Sequence, residues 1–332
     1  MWELGLLLLV MLVVFVNGWT DAPNAITGVV STGALSYERA VCMAAVCNLA
    51  GMLCMSLVSS SVADTISGMV DLGTSPRRAC VALCAGMASI VVFAVAAWAF
   101  GIPTSESHAL IAGLTGAALA LGGAESVNVQ AWCKVLWGLG WSLCLGLGLG
   151  WASAKLLRAP LGRLGNRGMD RLQIVGAGGM AFMHGAQDGQ KFVAVLVLAE
   201  LLAKGVYRPG NVVVRQHPVM MVLCGVVMAL GTLSGGRRII ERVGRRMVPL
   251  QKYQGVCSDL GAGLCLLAAT LWGIPMSTTH TKTSAILGAG LAGNRREVDL
   301  GSARGIVLAW VFTFPVCGGI GFFLTRLFLS RT

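Results

Sequence analysis

The chain has 332 residues, 56% of them hydrophobic and only 12% charged, about half the charged share of an ordinary soluble domain (~25%). With a mean hydropathy of +0.77 it has too few polar residues to cover a soluble surface, and a disordered chain, a collagen-like fibre and a disulfide scaffold are excluded by the same composition. The net charge of +11 would suit nucleic acid in a soluble protein, but here the basic residues sit in short segments between apolar runs, so no nucleic-acid partner is expected.

What remains is an all-α polytopic membrane protein, with room for about ten crossings of ~20 residues. The first predicted crossing, 2–36, is apolar for sixteen residues, carries Glu3 and lacks a basic start. It reads as a retained helix rather than a cleaved leader. It then runs into Asn17-Gly-Trp-Thr-Asp-Ala-Pro-Asn24-Ala25. Pro23 removes a helix donor and Gly18 loosens the turn before it, so a break is expected. The break would set Asp21 and Asn24 beside freed carbonyls, a set of oxygens that suits a small hard cation such as Na⁺.

Uninterrupted apolar runs follow at 40–62 and 79–101, separated by a loop, 63–78, in which Asp64 and Asp71 balance Arg77 and Arg78. The segment 103–122 opens with Gly101-Ile-Pro-Thr-Ser-Glu-Ser-His108. A run at 131–154 leads into a basic loop, 155–171, with Lys155, Arg158, Arg163, Arg167 and Arg171 against Asp170. The next crossing, 172–203, is also expected to be broken, at His184-Gly-Ala-Gln-Asp-Gly-Gln-Lys191. A mildly basic loop, 204–217, leads to a run at 218–236. The loop 237–252 then carries Arg237, Arg238, Arg242, Arg245, Arg246 and Lys252 against Glu241. Runs at 254–273, 275–292 and 305–324 complete the chain. The positive-inside rule puts 155–171 and 237–252 in the cytoplasm, which leaves both termini outside. The eleven cysteines form no CxxC pair or zinc spacing and read as small buried apolar residues.

The sequence repeats itself. Gly101-Ile-Pro-Thr-Ser-Glu-Ser-His108 matches Gly273-Ile-Pro-Met-Ser-Thr-Thr-His280, and Gly18-Trp-Thr-Asp21 matches Gly185-Ala-Gln-Asp188. Five crossings separate equivalent points, so the halves are inverted, and interrupted helices in inverted halves are the mark of a secondary transporter. The expected organisation is a first repeat at 1–130, a connecting helix and basic loop at 131–171, a second repeat at 172–304 and a C-terminal helix at 305–332.

In each Pro-x-Ser-x-x-His copy the proline suits the first turn of a helix, and the hydroxyls after it lie near free N–H groups. Two such helix starts converging from opposite halves would make an anion site. Ser105, Ser107, Ser277, Thr278 and Thr279 are its candidate donors. Lys191 either helps neutralise the anion or pairs with Asp188 or Glu200. His184 is either a proton carrier or a hydrogen-bonded structural residue. Glu106, a carboxyl group at a dehydrated helix start, either carries a proton or pairs with Lys282 or Lys191.

These segments, NGWTDAPNA, HGAQDGQK, GIPTSESHA and GIPMSTTHT, resemble the signatures of the inorganic phosphate transporter family, whose common forms are close to G-x-N-D-x-A-N-A and P-V-S-T-T-H. The resemblance covers both halves and implies an inverted-repeat symporter of the cytoplasmic membrane. It would bring inorganic phosphate, free or metal-complexed, inward with Na⁺ or H⁺, use no cofactor, and leave a homodimer as an open assembly. It places binding of substrate and ion on Asp21, Asn24, Ser105, Asp188, Ser277, Thr278 and Thr279. Three positions depart from the pattern: Thr20 and Gln187 stand where an Asn precedes each aspartate, and Glu106 replaces a Thr. Thr20 and Glu106 therefore join the coupling candidates, and Gln187 the phosphate candidates. A sulfate permease of the same fold is the alternative within the class. An intramembrane hydrolase, using Asp21 with Asp188 or Ser105 with His108, and a passive channel are alternatives outside it.

Overall fold

The computed structural model describes residues 2–208 and 212–331, and of these it describes all but the side chains of Trp2, Glu3 and Arg245. The loop expected at 204–217 thus lies partly outside the described residues. Thirteen α-helices and no strand occur among them: α1 (Trp2–Thr20), α2 (Pro23–Ser31), α3 (Tyr37–Val58), α4 (Ser61–Ser67), α5 (Pro76–Ala99), α6 (Glu106–Gly122), α7 (Val129–Gly162), α8 (Asn166–Ala203), α9 (Pro218–Ser234), α10 (Arg237–Glu241), α11 (Lys252–Leu271), α12 (Thr278–Ala292) and α13 (Leu300–Leu329).

The ten predicted crossings map onto these helices, the first taking in both α1 and α2 and the 218–236 crossing continuing into α10. Seven spans are long and apolar enough to cross a membrane, Leu4–Ser31 across the α1–α2 break among them. The bent unit Pro218–Ser234 plus Arg237–Gly244, with a 64° turn, makes an eighth. The other two are α8 and α12, and neither is at once long and apolar enough. The middle of α8 holds His184, Gln187, Asp188, Gln190 and Lys191, and α12 has only 15 residues, opening on Thr278-Thr-His-Thr-Lys282. The chain is a multi-pass membrane protein. Its long helices α7 and α13 expose Leu136, Trp137, Phe312 and Phe323, an apolar surface of the kind lipid covers.

Several expectations are corrected. The segment 172–203 is not broken: α8 runs unbroken from Asn166 to Ala203. Its position matching Pro23 is Gln190, and the neighbouring Gly185 and Gly189 leave every backbone donor in place, whereas proline deletes one. The basic loop 155–171 is mostly helix, because α7 extends to Gly162 and α8 starts at Asn166. A helix leaving the bilayer need not stop where its apolar run stops. Of the neutral loop 63–78, the first part belongs to α4, and most of 237–252 is α10 followed by a π-helical turn, Arg242–Met247. Pro103 and Pro275 lie two residues before the helix caps rather than in the first turn. The cysteines are not all buried: Cys42, Cys54, Cys133 and Cys144 are exposed on α3 and α7, where lipid tails are as apolar as a core.

The packing is symmetric under exchange of two sets of helices. With α1–α2 matched to α8, α3 to α9, α5 to α11, α6 to α12 and α7 to α13, the main helix contacts come in mirrored pairs. Thus α3 packs on α8 as α9 packs on α1, and α13 packs on α5 and α6 as α7 packs on α11 and α12. The halves are therefore interlocked rather than side by side. Close crossings are set by glycine. A Cβ built on Gly185 of α8 would strike the backbone carbonyl of Asn48 on α3, and one on Gly51 of α3 would strike that of Phe182. Small residues allow this approach where lipid offers no hydrophobic drive between helices.

Candidate substrate and ion site

The two Pro-x-Ser-x-x-His segments reach the middle of the protein as extended backbone and then turn into α6 and α12. Ser105 caps α6 by accepting from the His108 N–H at 3.3 Å, and Ser277 caps α12 by accepting from the His280 N–H at 3.1 Å. The caps touch: Ser277 Oγ donates to Ser105 Oγ at 2.8 Å. Two helix N-termini from opposite halves therefore converge, each with its positive end toward the other. Each extended segment is braced by the partner half's long helix. Trp310 Nε1 of α13 donates to the Pro103 carbonyl at 2.9 Å, and the Ser277 N–H donates to Ser142 Oγ of α7 at 3.3 Å.

Both matched carboxylates point at this junction and are fully buried. Asp21 sits at the α1–α2 break. It accepts from Asn24 Nδ2 at 2.9 Å, from Thr279 Oγ1, and from Thr278 Oγ1 at 3.4 Å. Asp188, in the middle of α8, accepts from Lys191 Nζ at 2.7 Å, Ser107 Oγ at 3.1 Å, Thr278 Oγ1 at 3.1 Å and Asn17 Nδ2 at 3.3 Å. One hydroxyl, Thr278, thus reaches both aspartates. One ligand atom each from Asp21, His184 and Asp188 lie within 4.8 Å of one another.

The surroundings of the two carboxylates differ. Lys191 is buried and bridges Asp188, Ser107 Oγ at 2.8 Å and the Met276 carbonyl at 2.5 Å, tying α8 to both helix starts. In the motif alignment the first-half counterpart of Lys191 is Asn24, so no lysine pairs with Asp21. Beside Asp21 two buried amide oxygens, Asn17 Oδ1 and Asn24 Oδ1, have no hydrogen-bond partner. A carboxylate with unpartnered amide oxygens is an oxygen-rich set of the kind hard cations take.

Most sequence-derived candidates meet here, and some do not. Asp21, Asn24, Asp188, Ser105, Ser107, Ser277, Thr278 and Thr279 lie together. Thr20 donates to Glu106 at 2.5 Å, so two of the three unusual positions are bonded to each other. Glu106 pairs with neither Lys191 nor Lys282, and its Oε2 is unpartnered. Lys282 is paired instead with Asp259. Gln187 is drawn aside, its amide donating to the Ile274 carbonyl at 3.2 Å. His184 holds Asn48 Oδ1 at 3.1 Å and lies 3.4 Å from Asp188. Ser105 meets the backbone of His108, not its ring, which lies tilted against the His280 ring at 4.5 Å between centroids, so the Ser–His nucleophile pair of a hydrolase is not formed. Asn17 was missed as a site residue, although it lies one helical turn before Asp21 and so on the same face.

The sequence profile described as the phosphate transporter family matches the chain twice, over residues 17–163 and 163–321. A "Probable low-affinity inorganic phosphate transporter" of Rhizobium meliloti is 36% identical over 324 residues, 94% of this chain and 92% of the relative. One of the same description from Bacillus subtilis is 31% identical over 312 residues, 92% and 91% of the two chains. Among solved structures, one described as "The sodium-dependent phosphate transporter" superposes with a TM-score of 0.89 at 19% identity, covering 100% of both chains, a likeness of fold.

Proposed function

The chain belongs to the phosphate transporter family, and we propose that it carries inorganic phosphate inward across the cytoplasmic membrane by alternating access, driven by Na⁺. It is a transport protein rather than an enzyme. The observation that carries the reading is the meeting of Asp21 and Asp188, matched residues of two interlocked halves, at two converging helix starts. In this reading Asp21, Asn17 and Asn24 hold the cation. Lys191 and the hydroxyls of Ser105, Ser107, Ser277, Thr278 and Thr279 take the oxyanion. The hydroxyls now donate to each other and to the aspartates, and they turn to phosphate oxygens when it binds. Phosphate at neutral pH still carries hydrogen, which a carboxylate at the site accepts. Sulfate has none to offer and meets repulsion. Uptake of labelled phosphate into proteoliposomes should therefore be suppressed by excess unlabelled phosphate and little changed by excess sulfate. Equal competition by sulfate would contradict the assignment.

Basic α10 and the α7–α8 junction face the cytoplasm in this scheme, with both termini outside. Glu106 supplies a pH response on top of the Na⁺ drive, since it pairs with no lysine and its carboxyl accepts from Thr20. Glu106→Gln should flatten the pH dependence of uptake while Na⁺-driven uptake continues. An unchanged pH profile in a normally active variant would remove Glu106 from the cycle.

A further inference from the structure

One turn beyond the paired helix starts, the two halves stop resembling each other. On α12, Lys282 follows Thr278 by four residues and Thr279 by three, so it lies on their face of the helix. Its buried ammonium pairs with Asp259 of α11 and donates to Ser258 Oγ at 2.9 Å. The other carboxylate oxygen, Asp259 Oδ2, is buried without a partner, and so is Gln173 Nε2 of α8. Both face Gly28 of α2: a Cβ built there would lie 3.6 Å from Asp259 Oδ2 and 3.7 Å from Gln173 Nε2, and 3.4 Å from Gly255 Cα. Gly28 is itself one turn beyond Asn24. The cluster lies on the side where α11 begins at Lys252, whose ammonium pairs with Asp170 of α8 at 2.5 Å. It therefore stands between the central site and the basic face.

The repeat offsets that align the motifs match Gln173, Asp259, Lys282 and Gly28 to Leu6, Met87, Leu110 and Val195, so the equivalent cluster on the other side of the site is apolar. These last four belong to one apolar cluster and are at most 1% exposed. The matching space is thus closed by hydrocarbon on one side of the site and by an ion pair and an amide on the other. The fold does not require the ion pair, and a buried pair is rarely better for stability than the apolar set that could replace it. Buried ionisable residues within a membrane protein mark the paths of ions and substrates.

We propose that Lys282, Asp259 and Gln173 form a transit site for a hydrogen-bearing oxyanion on its way from the central site to the basic face. This rests on the phosphate-carrier reading. Lys282 and the Gln173 amide donate to the anion's oxygens, and Asp259 Oδ2 accepts from its P–OH group. An oxyanion leaving the Ser and Thr donors would otherwise enter an apolar layer uncompensated, which is the situation on the other side of the site. Asp259 also keeps the station from trapping the anion, because its carboxylate competes for Lys282.

The test installs the first half's residues in the second: the double variant Lys282→Leu/Asp259→Met, which removes the pair without stranding a charge. Equilibrium binding of labelled phosphate to the purified protein is measured beside the initial rate of uptake into proteoliposomes. The expected result is binding within about threefold of wild type and uptake lowered about tenfold or more, the pattern of a lost step after binding. Uptake within about twofold of wild type would overturn the proposal, and so would loss of binding together with uptake, which would make the pair a support of the central site. If the double variant does not fold, Lys282→Gln/Asp259→Asn keeps size and hydrogen bonding without charge, and the same two outcomes apply. Wild-type protein that binds no phosphate would instead fail the underlying reading, whatever the variants do.

Discussion

Asp21→Asn and Asp188→Asn should each abolish Na⁺-driven phosphate uptake, by about 100-fold or more, while leaving folded protein in the membrane. The size follows from removing one charge of a desolvated contact, which costs ~3 kcal/mol or more, or about two decades in an equilibrium. Asp21→Asn should keep the fold, because asparagine keeps the shape and one acceptor oxygen, whereas Asp188→Asn also strands the buried Lys191 ammonium and should lower the unfolding midpoint. At Asp21 that oxygen can still accept from Thr279 or Asn24, and at Asp188 from Ser107 or Thr278. The two variants should fail differently. Asp21 has no lysine beside it and is flanked by the unpartnered oxygens of Asn17 and Asn24, so Asp21→Asn should lose the response to Na⁺ first. Asp188 positions Lys191, so Asp188→Asn should weaken phosphate binding even at saturating Na⁺. Binding isotherms at several Na⁺ concentrations separate the two. Near-normal uptake by either variant would end the claim of a paired site.

Lys191→Met should be the most damaging single substitution to the folded protein. Lys191 is fully buried and its ammonium meets Asp188, Ser107 and the Met276 carbonyl, so it links α8 to the starts of both α6 and α12. Its removal leaves Asp188 a buried charge without its cation, a loss of about 3–5 kcal/mol. Thermal unfolding followed in detergent should show a large drop in midpoint. Adding Asp188→Asn removes the stranded charge, so Lys191→Met/Asp188→Asn should regain much of the stability. It should not regain uptake, because the anion still lacks its ammonium. Recovery of uptake in the double variant would reduce Lys191 to a structural counter-ion.

Much of this was legible in the sequence because the chain states its key segments twice. The starts of α6 and α12 could be aligned by eye, and their convergence follows once the halves are inverted. The α1–α2 break was legible because proline has one unavoidable effect on a helix. The same reasoning failed at α8, where glycines permitted a break that tertiary packing did not use. Pairings between distant helices were not legible. Lys282 could be matched by type to any buried acid, and nothing local favours Asp259 on α11 over Glu106. The asymmetry between Lys191 and Asn24 stands in the alignment, but its meaning needs the geometry that sets Lys191 against Asp188 and not Asp21. Helix ends were poorly legible because hydropathy marks where the bilayer ends, and α7 and α8 continue past it into their basic segments.

In the proposed cycle phosphate moves with Na⁺ through one site built by both halves. Purified protein in proteoliposomes, given equal phosphate on both sides, equal pH and an inward Na⁺ gradient, should accumulate labelled phosphate above the outside concentration. The accumulation should collapse when the Na⁺ gradient is dissipated. Uptake that only equilibrates, or that accumulates equally when choline replaces Na⁺, would contradict the account.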